Sequence, residues 1–103
     1  MDARIDISPE KVIAFCKRWQ IAELALFGSV LRDDFGPESD VDVLVRFDPQ
    51  AQHTLFDLAQ MQDQLSATLG RKVDLVEREA VERSPNYIRR KAILQSAETI
   101  YAA

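Results

Sequence analysis

A chain of 103 residues has room for one compact domain, residues 1–103, and not for a catalytic domain with a separate substrate domain beside it. Its apolar fraction of 47% supports a packed core, yet no apolar run approaches the roughly 18 residues of a membrane span, and Met1-Asp2-Ala3-Arg4 opens no secretory pattern. The lone cysteine, Cys16, excludes an internal disulfide or a cysteine-rich metal site, and a net charge of −4 argues against a general grip on nucleic acid, whose phosphates demand a basic footprint. The expectation is a cytoplasmic protein with no membrane contact and no direct nucleic-acid binding.

Ser8-Pro9-Glu10 reads as a helix start, with a capping hydroxyl, a proline at the first helical position and an acid at the positive end of the dipole. Val12, Ile13, Cys16 and Trp19 recur at helical spacing, which predicts a first helix to about Arg18 or Gln20. A first strand follows at about Glu23 to Phe27. Ser29 to Arg32 fits one helical turn, Gly36-Pro37 marks a loop, and a second strand is predicted over about Asp40 to Phe47. Thr54 and Asp57 have capping-box form, and the stripe Leu58, Met61, Leu65 and Leu69 ends at Gly70, which predicts a second helix. Val73 to Val76 reads as a third strand, with Val73 and Leu75 on one face and Asp74 on the other. Past a charged stretch, Ser84-Pro85 opens a last helix on which Leu94, Ala97 and Tyr101 recur at helical spacing, with Ile93 and Ile100 alongside. The alternation predicts an α/β fold.

Phe15, Trp19 and the Met61 stripe are expected in the core, Tyr87 and Tyr101 to pack from the last helix, Cys16 to be an inert buried thiol and His53 to be a loop residue. The charge is uneven, because residues 84–103 carry Arg89, Arg90 and Lys91 against Glu98 alone. Arg89-Arg90-Lys91 reads as a solvated helix face, with docking of an acidic partner or steering of a polyphosphate as the other option.

Most of the chemistry lies in Gly28 to Val45, GSVLRDDFGPESDVDVLV. Side chains two apart on a strand share a face, so Asp40 and Asp42 are predicted to point the same way. Two carboxylates this close repel unless a cation lies between them, and hard oxygen ligands on one face suit Mg²⁺. A Gly28-Ser29 turn can offer backbone N–H groups and a hydroxyl to phosphate. Arg32 could bind phosphate too, or pair with Asp33, Asp34 or Glu38, and Ser39 could orient the loop. The combination predicts a metal-assisted nucleotide site.

This ordered set resembles the signature of the DNA polymerase beta superfamily: a Gly-Ser, an Arg a few residues on, Ser-Asp-x-Asp on the next strand, and a third carboxylate on a later one. Here the matches are Gly28, Ser29, Arg32, Ser39, Asp40 and Asp42, with Asp74 as the third carboxylate. The chain looks most like the minimal nucleotidyltransferase (MNT) branch over nearly its whole length, which implies a small mixed sheet packed with helices. It departs from many members in the turn, where Val30 and Leu31 replace small residues and Asp33 replaces a glycine.

The resemblance implies two-metal nucleotidyl transfer, with Asp40, Asp42 and Asp74 holding two Mg²⁺ ions and Gly28, Ser29, Arg32 and Ser39 on the nucleotide side. It further implies an antitoxin that transfers AMP from ATP to a tyrosine of a HEPN-domain ribonuclease toxin, with which it forms a hetero-oligomer. Two other readings stand beside it. One is a binding module that silences its partner by occlusion, and the other is the catalytic subunit of a small-molecule nucleotidyltransferase.

Overall fold

The two apolar runs on either side of the Gly28 to Asp40 segment pair with each other: β1 (Ile21–Phe27) and β2 (Val41–Phe47) form an antiparallel ladder with Phe27 opposite Asp42. The computed structural model describes residues 8–28 and 40–102. The turn predicted over Ser29 to Arg32 and the loop at Gly36-Pro37 lie outside these. Helix α1 (Pro9–Arg18) precedes β1; α2 (Leu55–Leu69) joins β2 to β3 (Val73–Glu77); and α3 (Arg78–Glu82), α4 (Tyr87–Ser96) and β4 (Glu98–Ala102) complete the described chain. The strands lie in the order β3-β2-β1-β4, with β2 and β3 parallel and the other pairs antiparallel. The sheet is mixed, as the resemblance implied.

Local chemistry accounts for most boundaries. Thr54 and Asp57 close a reciprocal capping box at the start of α2, and Gly70 ends the helix at φ 69°, where a residue with a Cβ is strained. Pro9 starts α1, but the Ser8 side chain makes no capping hydrogen bond. The expected hydroxyl cap is therefore absent, and the fixed φ of Pro9 with Glu10 in the first turn is what favours that start. Gln20 makes the turn into β1 at φ 56°, and its carbonyl accepts from the Asp48 N–H at 2.9 Å.

Alternation along the strands sends side chains to two faces. On one, Leu24 and Leu26 of β1, Val41, Val43 and Val45 of β2, and Val73 of β3 meet Val12, Phe15 and Cys16 of α1 and Met61, Leu65 and Leu69 of α2. Most of these side chains are fully buried, and burial pushes the Cys16 thiol up to about 12, which makes it inert at neutral pH. On the other face a smaller cluster forms from Ala25, Phe27 and Leu44 with Val81 of α3 and Ile93 of α4. The outer edge of β3 is covered from α2, whose Ser66 hydroxyl and Gln62 side-chain carbonyl accept from the N–H groups of Val73 and Leu75 at 3.0 Å each. Among the described residues no helix is long and apolar enough to cross a membrane.

The end of the chain differs from the sequence expectation. The last helix begins at Tyr87 behind an Asn86 cap, not at Ser84-Pro85, and it stops at Ser96. Ala97, Ile100 and Tyr101, read above as helical, belong to the helix cap and to β4, which pairs antiparallel with β1. Helical spacing of apolar residues competes here with an open strand edge. β1 offers unpaired N–H and C=O groups, and Thr99, Ile100 and Tyr101 have the branched and aromatic side chains that suit a strand. The charged stretch before Ser84 contains the short helix α3, tied down by Arg78, which pairs with Glu23 of β1 and lies 3.8 Å from Glu82.

His53 is more than a loop residue. Its ring lies 4.7 Å from Phe47 and 5.9 Å from Trp19, and its Nε2 is 2.7 Å from the Trp19 carbonyl oxygen. Trp19 in turn donates to Gln64 of α2 at 2.9 Å. The imidazole thus fastens the ends of α1, β2 and α2 together.

Candidate active site

The parallel register between β2 and β3 places Asp42 directly beside Asp74. Neighbouring strands lie about 4.8 Å apart, so the two carboxylates start from adjacent backbones. Their neighbours Val41, Val43 and Val73 are buried toward α1 and α2, so alternation turns both aspartates to the face of α3 and α4. Asp74 is exposed and Asp42 half-buried. Asp40 stands exposed just before β2, separated from Asp42 by Val41, whose N–H holds the Lys72 carbonyl at 2.8 Å.

Gly28, the residue after β1, lies against Asp42. Its φ is 77°, and a Cβ built on it would come within 2.4 Å of the Asp42 Oδ2. Both facts exclude any other residue without movement, since only glycine adopts that backbone freely and only a missing side chain leaves room for the carboxylate. The motif glycine is therefore needed for its contact with Asp42 as well as for its turn. Ser29, Arg32 and Ser39 lie outside the described residues.

A groove of about 250 Å³ opens over the pair, lined by Phe27, Gly28, Asp42, Asp74 and Val76 from the sheet and by Arg89, Ala92, Ile93 and Ser96 from α4. A larger cavity of about 520 Å³, between Arg46, His53, Glu77 and Glu82, holds none of the three aspartates, so size alone does not locate the chemistry. Among the described residues no group of three or more His, Cys, Asp or Glu side chains is gathered into a cage for an ion. The donor set is right for Mg²⁺, because the aspartates offer only hard oxygens and Gly28 keeps the space against Asp42 Oδ2 clear of carbon.

Sequence reasoning missed the wall contributed by α4. The run Arg89-Arg90-Lys91 splits in the fold. Arg90 donates to the Ser84 carbonyl at 3.1 Å and lies 5.4 Å from the Tyr87 ring, and the Lys91 ammonium lies 6.0 Å from the same ring. Arg89 instead lines the groove. Its place in a basic triplet just past a helix cap was the available signal, but which of the three would face the carboxylates depends on where α4 crosses the sheet. Tyr101, expected to pack from a helix, packs from β4, while Tyr87 stays exposed.

Comparison with known proteins bears on this arrangement. Residues 10–97 match the family described as a nucleotidyltransferase domain. The protein adenylyltransferase MntA of Thermococcus cleftensis is 33% identical over 66 residues, covering 64% of this chain and 65% of that one. The chain spans 64 to 65% of the length of the curated relatives it matches. A solved structure assigned as a minimal nucleotidyltransferase is 32% identical, with a TM-score of 0.66 over 87% of this chain and 86% of that chain. A chain of the solved complex of tri-AMPylated Shewanella oneidensis HEPN toxin with MNT antitoxin has a TM-score of 0.60 over 92% of this chain and 70% of that chain. At 18% identity, that last likeness is one of fold.

Proposed function

The chain belongs to the family of nucleotidyltransferase domains, and on that premise we propose that it is an antitoxin that transfers AMP from ATP to a tyrosine of a HEPN-domain ribonuclease toxin in the cytoplasm, acting as a single domain. The observation that carries this reading is the contact between motif and carboxylate: a Cβ at Gly28 would collide with the Asp42 carboxylate, and Asp42 stands in register with Asp74. A glycine required only for a turn would not need that clearance. The name of the Thermococcus cleftensis relative supports protein adenylylation, and the Shewanella oneidensis complex supports the class of partner.

Asp40, Asp42 and Asp74 would hold two Mg²⁺ ions, which when bound supply charge neutralisation at the triphosphate and a more acidic acceptor hydroxyl. Ser29 and the amides next to Gly28 hold the β- and γ-phosphates, with Arg32 on the same anion and Ser39 steadying the loop before Asp40. In the transfer, the tyrosine oxygen bonds to the α-phosphorus and the bond from that phosphorus to the β-phosphate oxygen breaks. Pyrophosphate leaves with the bonding electrons. Asp74, on the outer of the two carboxylate strands, takes the phenolic proton or orients the phenol to lose it. α4 forms one wall of the groove.

Stoichiometry tests the reading against occlusion. A catalytic amount of the chain with ATP and Mg²⁺ is expected to inactivate an excess of the HEPN-domain protein, and inactivation persists after the two are separated. Asp74→Asn is expected to keep partner binding and much of the ATP binding yet fail to protect cells. Full protection by that variant would sink the enzymatic reading in favour of occlusion. Label from α-labelled ATP in a small product instead of a protein band would favour a small-molecule transferase.

A further inference from the structure

Arg89 is the one described cation lining the groove that holds Asp42 and Asp74, and among the described residues its guanidinium has no ion-pair partner. Its neighbours Arg90 and Lys91 are engaged around Tyr87 and the Ser84 carbonyl. A free guanidinium beside two carboxylates is poised for an anion that comes with the substrate.

The path of α4 decides which substrate. β4 follows α4 directly, and Glu98 pairs with Leu26 of β1, so the Ser96 end of the helix lies toward β1 and Gly28. The Arg89 end lies toward β3. There Arg89, Val76 and Ile93 also line a second cavity of about 190 Å³, floored by Ala80 and Val81. The two cavities share these three residues and make one continuous trough, from Gly28 past Asp42 and Asp74 to a recess under α3 and α4 that Ser84 and Arg90 also line. If the triphosphate lies at the Gly28 end, as proposed above, the Arg89 end receives the acceptor. At that mouth Ile88 is 80% exposed and Tyr87 59% exposed, on the first turn of α4 beside Arg89. Tyrosine and arginine are among the residues that carry most of the binding energy at protein interfaces.

We infer that Arg89 is a specificity-determining residue for the acceptor: it pairs with a carboxylate beside the acceptor tyrosine, so that the chain selects a tyrosine in an acidic segment, seated on Ile88 and the recess lined by Val76, Val81 and Ile93. This rests on the proposed AMP transfer and adds the chemistry of the acceptor. Charge complementarity carries the assignment. Arg89 lines both cavities and Arg90 lines the recess, so the described cations of the trough gather at the acceptor's end, where an acidic segment would meet them.

The test uses two model peptides, each with one central tyrosine in an apolar context, flanked by glutamates in one and lysines in the other, with α-labelled ATP and Mg²⁺. The wild-type chain is expected to label the glutamate peptide about tenfold faster at limiting peptide. Arg89→Glu is expected to reverse that preference through KM, which a merely structural role for Arg89 would not do. Calorimetry on the same variant is expected to give ATP·Mg²⁺ affinity within about twofold of wild type, and a tenfold loss would place Arg89 on the triphosphate and overturn the inference. Equal labelling of both peptides by the wild type, or a preference unchanged in Arg89→Glu, leaves AMP transfer standing and overturns the acceptor role. Absence of label on either peptide and on a HEPN-domain protein sinks the transfer reading, and the inference with it.

Discussion

The two faces of the sheet use the same strands for different ends. Toward α1 and α2 the strands present mostly valine, leucine and isoleucine, and Met61, Leu65 and Val43 have no exposed surface. Toward α3 and α4, the same β2 and β3 carry Asp42 and Asp74 at one end and Leu44 and Val76 further along, and the buried cluster is small. Stability is concentrated on the first face. The second gives up apolar burial for a groove, and that exchange is tolerable because the first face is closed. A carboxylate pair can stand on a strand only where the opposite side of that strand already holds it in the sheet.

The largest effect should separate chemistry from folding. Asp42→Asn is expected to reduce AMP transfer a hundredfold or more, about 2.7 kcal/mol in barrier, while the variant still unfolds cooperatively in urea. More than about a tenth of wild-type transfer in a radiolabel assay would remove Asp42 from the metal site. Met61→Ala does the converse. It deletes a fully buried side chain on the α2 face and should cost about 3 kcal/mol in urea unfolding, with ATP affinity unchanged under folding conditions. A loss below about 1 kcal/mol would mean that the first face is not the main support.

Cys16 reports the dryness of that same face. Its thiol titrates near 12 in the fold and near 9 in a free chain, so the preference of the fold for the neutral thiol is fully present below pH 9 and is lost as pH rises from 9 through 12. The urea midpoint should therefore fall more steeply over pH 9 to 10.5 in the wild type than in Cys16→Ala. Parallel slopes would show a solvated thiol. On the site face, Ser29→Ala should weaken ATP·Mg²⁺ binding by about 1 kcal/mol, the usual worth of one hydrogen bond, and calorimetry with no change would reassign Ser29 to structure. The smallest effect is away from both faces. Gln20→Gly should raise the unfolding free energy by a few tenths of a kcal/mol to about 1 kcal/mol, since glycine adopts φ 56° without the Cβ clash. A lower melting temperature would show that the Gln20 side chain has a role there.

What the sequence by itself determined is whatever depends on neighbours along the chain. The capping box at Thr54, the Gly70 stop, the α2 stripe and the strands around Phe27, Val43 and Val73 are local patterns, and each lies close to where it was expected. The order of Gly28, Asp40, Asp42 and Asp74 likewise pointed to a nucleotide site, and a strand's period of two put Asp42 and Asp74 on the face away from the buried valines. Tertiary structure decided the rest. Glu98 to Ala102 had a helical period but became a strand, because the free edge of β1 provides hydrogen-bond partners that no local pattern records. Which arginine of 89 and 90 faces the carboxylates depended on the crossing of α4 over the sheet. The fit of Gly28 against Asp42 Oδ2 joins the residue after β1 to a residue of β2, so only the register that sets Phe27 opposite Asp42 could fix it.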